Sequence, residues 1–136
     1  MIYSYNINEQ ALGTDADVIY NNNVVNTDSA IIHTPGTSIF TLVRPGSYRV
    51  TVTATGAASA SGTDPITLAL YNGSVQIPGA ISSVTSADTT DIGTLVIDAI
   101  ITVRPSCCAI NNTVNLTVKN IGVAATYSNT TIAIAR

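Results

Sequence analysis

Tyr48-Arg49-Val50-Thr51-Val52-Thr53-Ala54-Thr55 alternates without a slip. In an extended chain Tyr48, Val50, Val52 and Ala54 share one side, and Arg49 with three threonines takes the other. That period of two belongs to a strand with one face on a core and one in water. Thr113-Val114-Asn115-Leu116-Thr117-Val118-Lys119 repeats the pattern, with Val114, Leu116 and Val118 inward and Asn115, Thr117 and Lys119 outward. Before and between these two stretches the chain is punctuated by turn chemistry. Thr34-Pro35-Gly36 and Arg44-Pro45-Gly46 combine a fixed with a permissive backbone angle, and Asn72-Gly73 is a strong hairpin signal.

The same features recur along the whole chain. Ile, Val, Thr and Tyr are abundant, helix formers are scarce, and no window sustains a 3.6-residue period. Strands are expected near Ser38–Val43, Ser47–Gly56, Ile66–Tyr71, Leu95–Val103, Thr113–Asn120 and Thr130–Ala135. Weaker ones are expected at Val18–Tyr20, Ala30–Thr34 and Val75–Thr85. Many short strands between Gly, Pro, Asn and Asp clusters specify an all-β sandwich or barrel.

Composition narrows the function. Charged residues are 10 % of the chain, against roughly 25 % in an average soluble domain. Thr, Ser and Asn together supply 44 of the 136 residues, so neutral polar groups make most of the wettable surface. A net charge of −3 with five scattered basic residues offers no patch for nucleic acid. The longest apolar runs fall far short of the ~20 residues of a membrane helix. Met1-Ile2-Tyr3-Ser4-Tyr5 lacks the basic and apolar regions of a secretory leader. Leu95-Val96-Ile97-Asp98-Ala99-Ile100-Ile101-Thr102-Val103 is apolar on one face throughout and partly on the other, as are Val24-Val25 and Ile31-Ile32. A small sandwich has few places to bury both faces of a strand. Either a loop folds over these residues or a second copy of the chain does, and the second alternative fits the low charge better.

Catalytic chemistry is not legible. His33, the only histidine, precedes a Pro-Gly turn and reads as a strand-end residue with a structural hydrogen bond. A nucleophilic pair with Cys107 or Cys108 lacks any feature that would lower a thiol pKa. The adjacent Cys107 and Cys108 read as free thiols, with a strained disulfide or sulfurs gathered at an oligomer axis as alternatives. Asp88 and Asp91 share one loop and read as solvated turn carboxylates rather than a calcium site. Asp98, inside an apolar strand, either faces water or pairs with Arg44, Arg49 or Arg104. No metal site, cofactor motif or paired-carboxylate signature is present, so the expectation is a protein that is not an enzyme and needs no cofactor.

The order of motifs resembles the small jelly rolls of the tumour necrosis factor and complement globular-head superfamily. It is most similar to the C-terminal domains of collagen-like spore-surface glycoproteins and to short phage-encoded relatives. The residues that carry the resemblance are Asn21-Asn22-Asn23, Ile32-His33-Thr34-Pro35-Gly36-Thr37, Phe40-Thr41-Leu42, Pro45-Gly46-Ser47-Tyr48-Arg49-Val50, Leu68-Ala69-Leu70-Tyr71-Asn72-Gly73, Ile77-Pro78-Gly79, Val114-Asn115-Leu116-Thr117-Val118-Lys119-Asn120 and the closing Thr131-Ile132-Ala133-Ile134-Ala135-Arg136. The resemblance implies a jelly-roll β-sandwich that associates as a homotrimer. No Gly-X-Y stalk, which the spore-surface role uses, occurs in the 136 residues. The resemblance therefore points to a phage structural protein: a capsid decoration or head fibre protein on the virion, assembled in the bacterial host cytoplasm. Its partners are itself and the major capsid protein or other virion proteins. A carbohydrate- or receptor-binding adhesion module of a phage tail or a bacterial surface is the alternative.

The organisation expected is residues 1–17 as an N-terminal arm or outer strand and 18–136 as the jelly roll. Ile2, Tyr3, Tyr5, Ile7 and Leu12 are the candidate capsid-docking residues of the arm. Ile31, Ile32, Val96, Ile100 and Ile101 are the candidate trimer interface.

Overall fold

A computed structural model describes residues 1–105 and 113–136. In chain order the strands are β1 (Ile2–Asn6), β2 (Gln10–Leu12), β3 (Asn22–Asn26), β4 (Ile31–Ile32), β5 (Phe40–Leu42), β6 (Gly46–Ala58), β7 (Ile66–Asn72), β8 (Val75–Val84), β9 (Gly93–Val103), β10 (Val114–Asn120) and β11 (Ala125–Ala135). They form two antiparallel sheets. The front sheet runs β3-β1-β11-β6-β9, with β2 also paired to β11, and the back sheet runs β4-β5-β10-β7-β8. The chain is thus an all-β jelly-roll sandwich, as its alternation and turn chemistry specify.

The quoted alternation is seen directly in β6, where Tyr48, Val50, Val52 and Ala54 are buried while Arg49 is exposed and Thr51, Thr53 and Thr55 are half-buried. β6 pairs with β9 over eleven consecutive residues from Gly46↔Val103 to Gly56↔Gly93. On its other side it pairs with β11, whose ladder shifts register between Ser128 and Thr131, where Asn129 adopts a positive φ of 51°. Such a bulge lets β11 bend and serve two short partners, β2 at Ala125–Tyr127 and β1 at Thr130–Ile134.

Three strands escape the alternation pattern: β1, β2 and β3. The stretch Val18–Tyr20, expected as a strand, forms only isolated bridges at its margins, Asp17↔Lys119 and Tyr20↔Thr37. Residues 2–6 are an inner strand between β3 and β11. Their pattern is inverted, with Ser4 and Asn6 buried beside Ile2 and the two tyrosines outward. The buried polar groups are satisfied: Ser4 Oγ donates to Asn23 Oδ1 at 2.6 Å, and Asn6 Nδ2 donates to the Ile19 carbonyl at 3.0 Å.

Tyr20, Phe40, Tyr48 and Tyr127 are fully buried between the sheets. Tyr48 donates its hydroxyl to the Arg44 carbonyl at 2.7 Å, which clips the entry of β6 to the turn before it. Tyr127 donates to Asn120 Oδ1 at 3.0 Å, and Asn120 Nδ2 in turn serves the carbonyls of Leu12, Gly13 and Val123. That network joins the two sheets at one end.

Two glycines are required there by space. A Cβ on Gly56 would lie 2.6 Å from Tyr127 Cδ1, and one on Gly122 would lie 2.6 Å from the Thr67 backbone nitrogen and 2.7 Å from the Pro65 carbonyl oxygen. The Gly122 contacts are backbone and cannot rotate away. Gly122→Ala is therefore expected to destabilise the fold by about 1–3 kcal/mol. Gly62→Ala, with no atom within 4 Å of the added methyl, should stay within about 0.5 kcal/mol of the parent. Urea unfolding of the two variants beside the parent measures the contrast.

Candidate functional site

The outer face of the front sheet is the most distinctive surface of the molecule. Because strand side chains alternate, the pairing registers place outward residues in rows across four strands. One row is Tyr3, Ala133, Thr51 and Asp98, and the next is Tyr5, Thr131, Thr53 and Val96. Beyond the first row, Ala135, Arg49 and Ile100 continue the pattern. The middle of this face consists of methyl and hydroxyl groups, with the Thr53 and Thr131 hydroxyls hydrogen-bonded to each other.

Its two flanks are apolar. On one side Tyr3 and Tyr5 are half-buried, with ring centroids 6.5 Å apart, and Val25 stands next to Tyr3 on β3. On the other side Val96 and Ile100 are 53 % and 67 % exposed on the edge strand β9. Between them Asp98 accepts two hydrogen bonds from Arg49, from Nε to Oδ1 at 3.1 Å and from Nη2 to Oδ2 at 2.8 Å, and Thr51 adds a third at 3.4 Å. Arg49 and its hydrogen bonds hold the Asp98 carboxyl below its usual range, and the carboxylate raises the guanidinium in return. The sequence leaves three arginines open for Asp98; its partner is Arg49 of the adjacent strand in the same chain. The pair lines a shallow depression with Ala99 and Ile100.

The other sequence candidates are distributed differently. Ile2 and Leu12 are core residues and are unavailable for docking; Ile7 is exposed in the loop after β1, and Tyr3 and Tyr5 belong to the outer face just described. Ile31 and Ile101 are likewise core residues, so neither presents a surface to a second chain. The period of two explains this correction: in Ile31-Ile32 and Ile100-Ile101 one neighbour must point inward. Ile32 is exposed on β4, at the edge of the back sheet and away from Val96 and Ile100. Cys107 and Cys108 lie outside the described residues.

His33 is a buried, core-side histidine whose two ring nitrogens both face oxygen acceptors. Its ring stacks on Phe40 with centroids 3.9 Å apart, Nδ1 lies 2.6 Å from Asn23 Oδ1, and Nε2 lies 3.0 Å from the Thr37 carbonyl oxygen. Asn23 also donates to the His33 carbonyl at 3.0 Å, so β1, β3 and the turn after β4 meet at one node. Asp88 and Asp91 are consumed by their own loop: Asp88 Oδ1 accepts from the Thr90 amide and hydroxyl, and Asp91 Oδ2 accepts from the Ala87 amide. Among the described residues no group of three His, Cys, Asp or Glu side chains could hold a metal ion. A concavity of about 200 Å³ is lined by Ala58, Ser86, Val123 and Ala124, and a wider, open one of about 520 Å³ by Asn26, Asp28, Ile31 and His33.

No protein-family model matches the chain. No curated protein matches it. Solved structures do. Murine APRIL is similar at a TM-score of 0.67 and 10 % identity, covering 98 % of this chain and 95 % of that one. The PRD1 vertex protein P5 is similar at a TM-score of 0.56 and 16 % identity, covering 99 % and 96 %. These likenesses establish a shared tumour-necrosis-factor-like jelly-roll fold.

Burial holds the His33 imidazole below its ordinary range, against the opposing pull of the Thr37 carbonyl. The folded state therefore binds a proton less readily than the unfolded chain. His33's contribution to stability is complete above the unfolded value of about 6.5 and is progressively lost as pH falls below it. NMR titration should place the His33 midpoint below that of a histidine peptide. Unfolding measured across the same interval should lose part of its pH dependence in His33→Gln.

Proposed function

We propose that this chain is a non-enzymatic structural protein of a phage virion, assembling as a homotrimer that decorates the capsid surface or forms a head fibre there. The observation that carries the reading is the outer face of the front sheet. It presents two different apolar flanks, Tyr3, Tyr5 and Val25 on one side and Val96 with Ile100 on the other, across a neutral centre of threonine and alanine. The Arg49–Asp98 ion pair on it is already matched within the chain. A self-complementary single patch would suit a twofold dimer. Two unlike flanks suit a head-to-tail contact that closes into a ring.

Burying such a face in an assembly removes Val96 and Ile100 from water and leaves the hydroxyl-rich remainder as surface, consistent with a charged fraction of 10 %. The similarity in fold to PRD1 vertex protein P5, whose name places it at a virion vertex, supports the same reading. So does the resemblance of the motif order to phage structural members of the superfamily. Among the described residues the face gathers no nucleophile–base pair and no metal-binding cluster, and the role is one of rigid mass at a surface.

Light scattering at micromolar concentration should give about three times the 14.0 kDa chain mass. Ile100→Asp with Val96→Asp should weaken association by at least about 100-fold, since a buried unpaired carboxylate in an interface costs several kcal/mol. The circular dichroism of the sheets should be unchanged, because both side chains are exposed in the single chain. A wild-type protein that stays monomeric overturns the trimer. Mass spectrometry of purified virions should find the chain as a component, and its absence from them overturns the virion role.

A further inference from the structure

Resting on the trimeric reading above, the geometry points to a specific contact: we propose that Tyr3 and Tyr5 of one copy seat on the Asp98–Arg49 pair and on Val96 of the next. The rows supply the argument. Tyr3 and Asp98 lie at one height on opposite flanks of the front sheet, joined through Ala133 and Thr51; Tyr5 and Val96 lie at the next height, joined through Thr131 and Thr53. In a ring whose rotation axis runs along the strands, every copy presents the same face and heights are conserved. The β1 flank of one copy then meets the β9 flank of its neighbour, and residues of the same row meet each other.

The chemistry of the two flanks is complementary row by row. In the upper row a phenol meets a carboxylate and a guanidinium. Asp98 Oδ2 receives one hydrogen bond, from Arg49 Nη2, and a carboxylate oxygen accepts about two. It can therefore take a hydroxyl proton donor as well. The planar guanidinium beside it, held by two bonds to Asp98, offers a flat cation to an aromatic ring. Among the described residues no hydrogen bond occupies the Tyr3 or Tyr5 hydroxyl within its own chain. In the lower row Tyr5 meets Val96, ring on branched aliphatic, with no charge to desolvate. The Arg49, Asp98, Ala99 and Ile100 depression provides the concavity into which Tyr3 projects.

This arrangement also accounts for an ion pair in an otherwise neutral face. A matched bidentate pair enters an interface intact, whereas either member alone would not. It further accounts for the inverted pattern of β1, which spends two of its three inward positions on Ser4 and Asn6 and turns both tyrosines out.

Disulfide trapping tests the contact in a background of Cys107→Ser and Cys108→Ser, after scattering has established the mass of that protein. Tyr5→Cys combined with Val96→Cys should yield covalent species up to the trimer on mild oxidation, read on a non-reducing gel. Each single substitution should yield none. Dimers from either single substitution would show a twofold contact and overturn the proposal, as would failure of the pair to cross-link in a protein that scatters as a trimer. A monomer in scattering would instead overturn the assembly reading itself. Independently, Tyr3→Phe should weaken the trimer about tenfold in the parent but leave it unchanged in an Asp98→Asn background, which by itself costs more than tenfold because it also leaves Arg49 unpaired. Multiplicative losses would overturn the upper-row contact.

Discussion

The rest of the molecule depends on the two-sided pairing of β11. This strand holds β6 along one edge and both β1 and β2 along the other, so the first and last strands of the chain lie side by side in the middle of the front sheet. Such a closure brings residues more than a hundred positions apart into register, Ile2 with Ile134 and Leu12 with Ala125. It works because β11 bulges at Asn129, which lets one strand bend and change partners. The bulge and the Gly56 that makes room for Tyr127 are the places where backbone conformation and space, rather than hydrophobicity, decide the path.

The same closure makes the outer face. Once β1, β11, β6 and β9 are adjacent, the unpaired sides of four alternating strands become one surface, with its chemistry fixed by which residues point away from the core. Threonine and alanine fall in the middle, aromatic and branched residues at the flanks, and the Arg49–Asp98 pair within the β9 flank. An exposed pair of this kind contributes little to the fold of a single chain, because water and salt screen it. Its interest lies in what it does to a partner, since it presents direction and hydrogen-bonding capacity in a face that otherwise has little of either.

Much of this was legible before the structure. β6 and β10 could be read because each alternates cleanly, and the Pro-Gly and Asn-Gly turns located their ends. β1 could not, because its inward positions include Ser4 and Asn6 and its outward ones are tyrosines, so hydropathy points the wrong way. Only the hydrogen bonds to Asn23 and Ile19, contributed from elsewhere in the chain, make those polar residues acceptable inside. β3 could not be read as a strand for a related reason: it is largely exposed and its register against β1 shifts between Tyr3 and Ser4. The candidate interface residues divide by exposure. Val96 and Ile100 are exposed as a doubly apolar strand suggests, while Ile31 and Ile101 are inward neighbours in the same runs.

By itself, then, the amino-acid order determined the all-β class, the main strands and the shortage of charge, because period, turn residues and composition are local or additive properties of the chain. Tertiary structure alone decided which strands lie side by side, and therefore which outward residues share a surface. Tyr3 and Asp98 are 95 positions apart in sequence. They occupy one row because β11 and β6 stand between them, and hydrogen-bond register across a sheet is a long-range property that no single strand encodes.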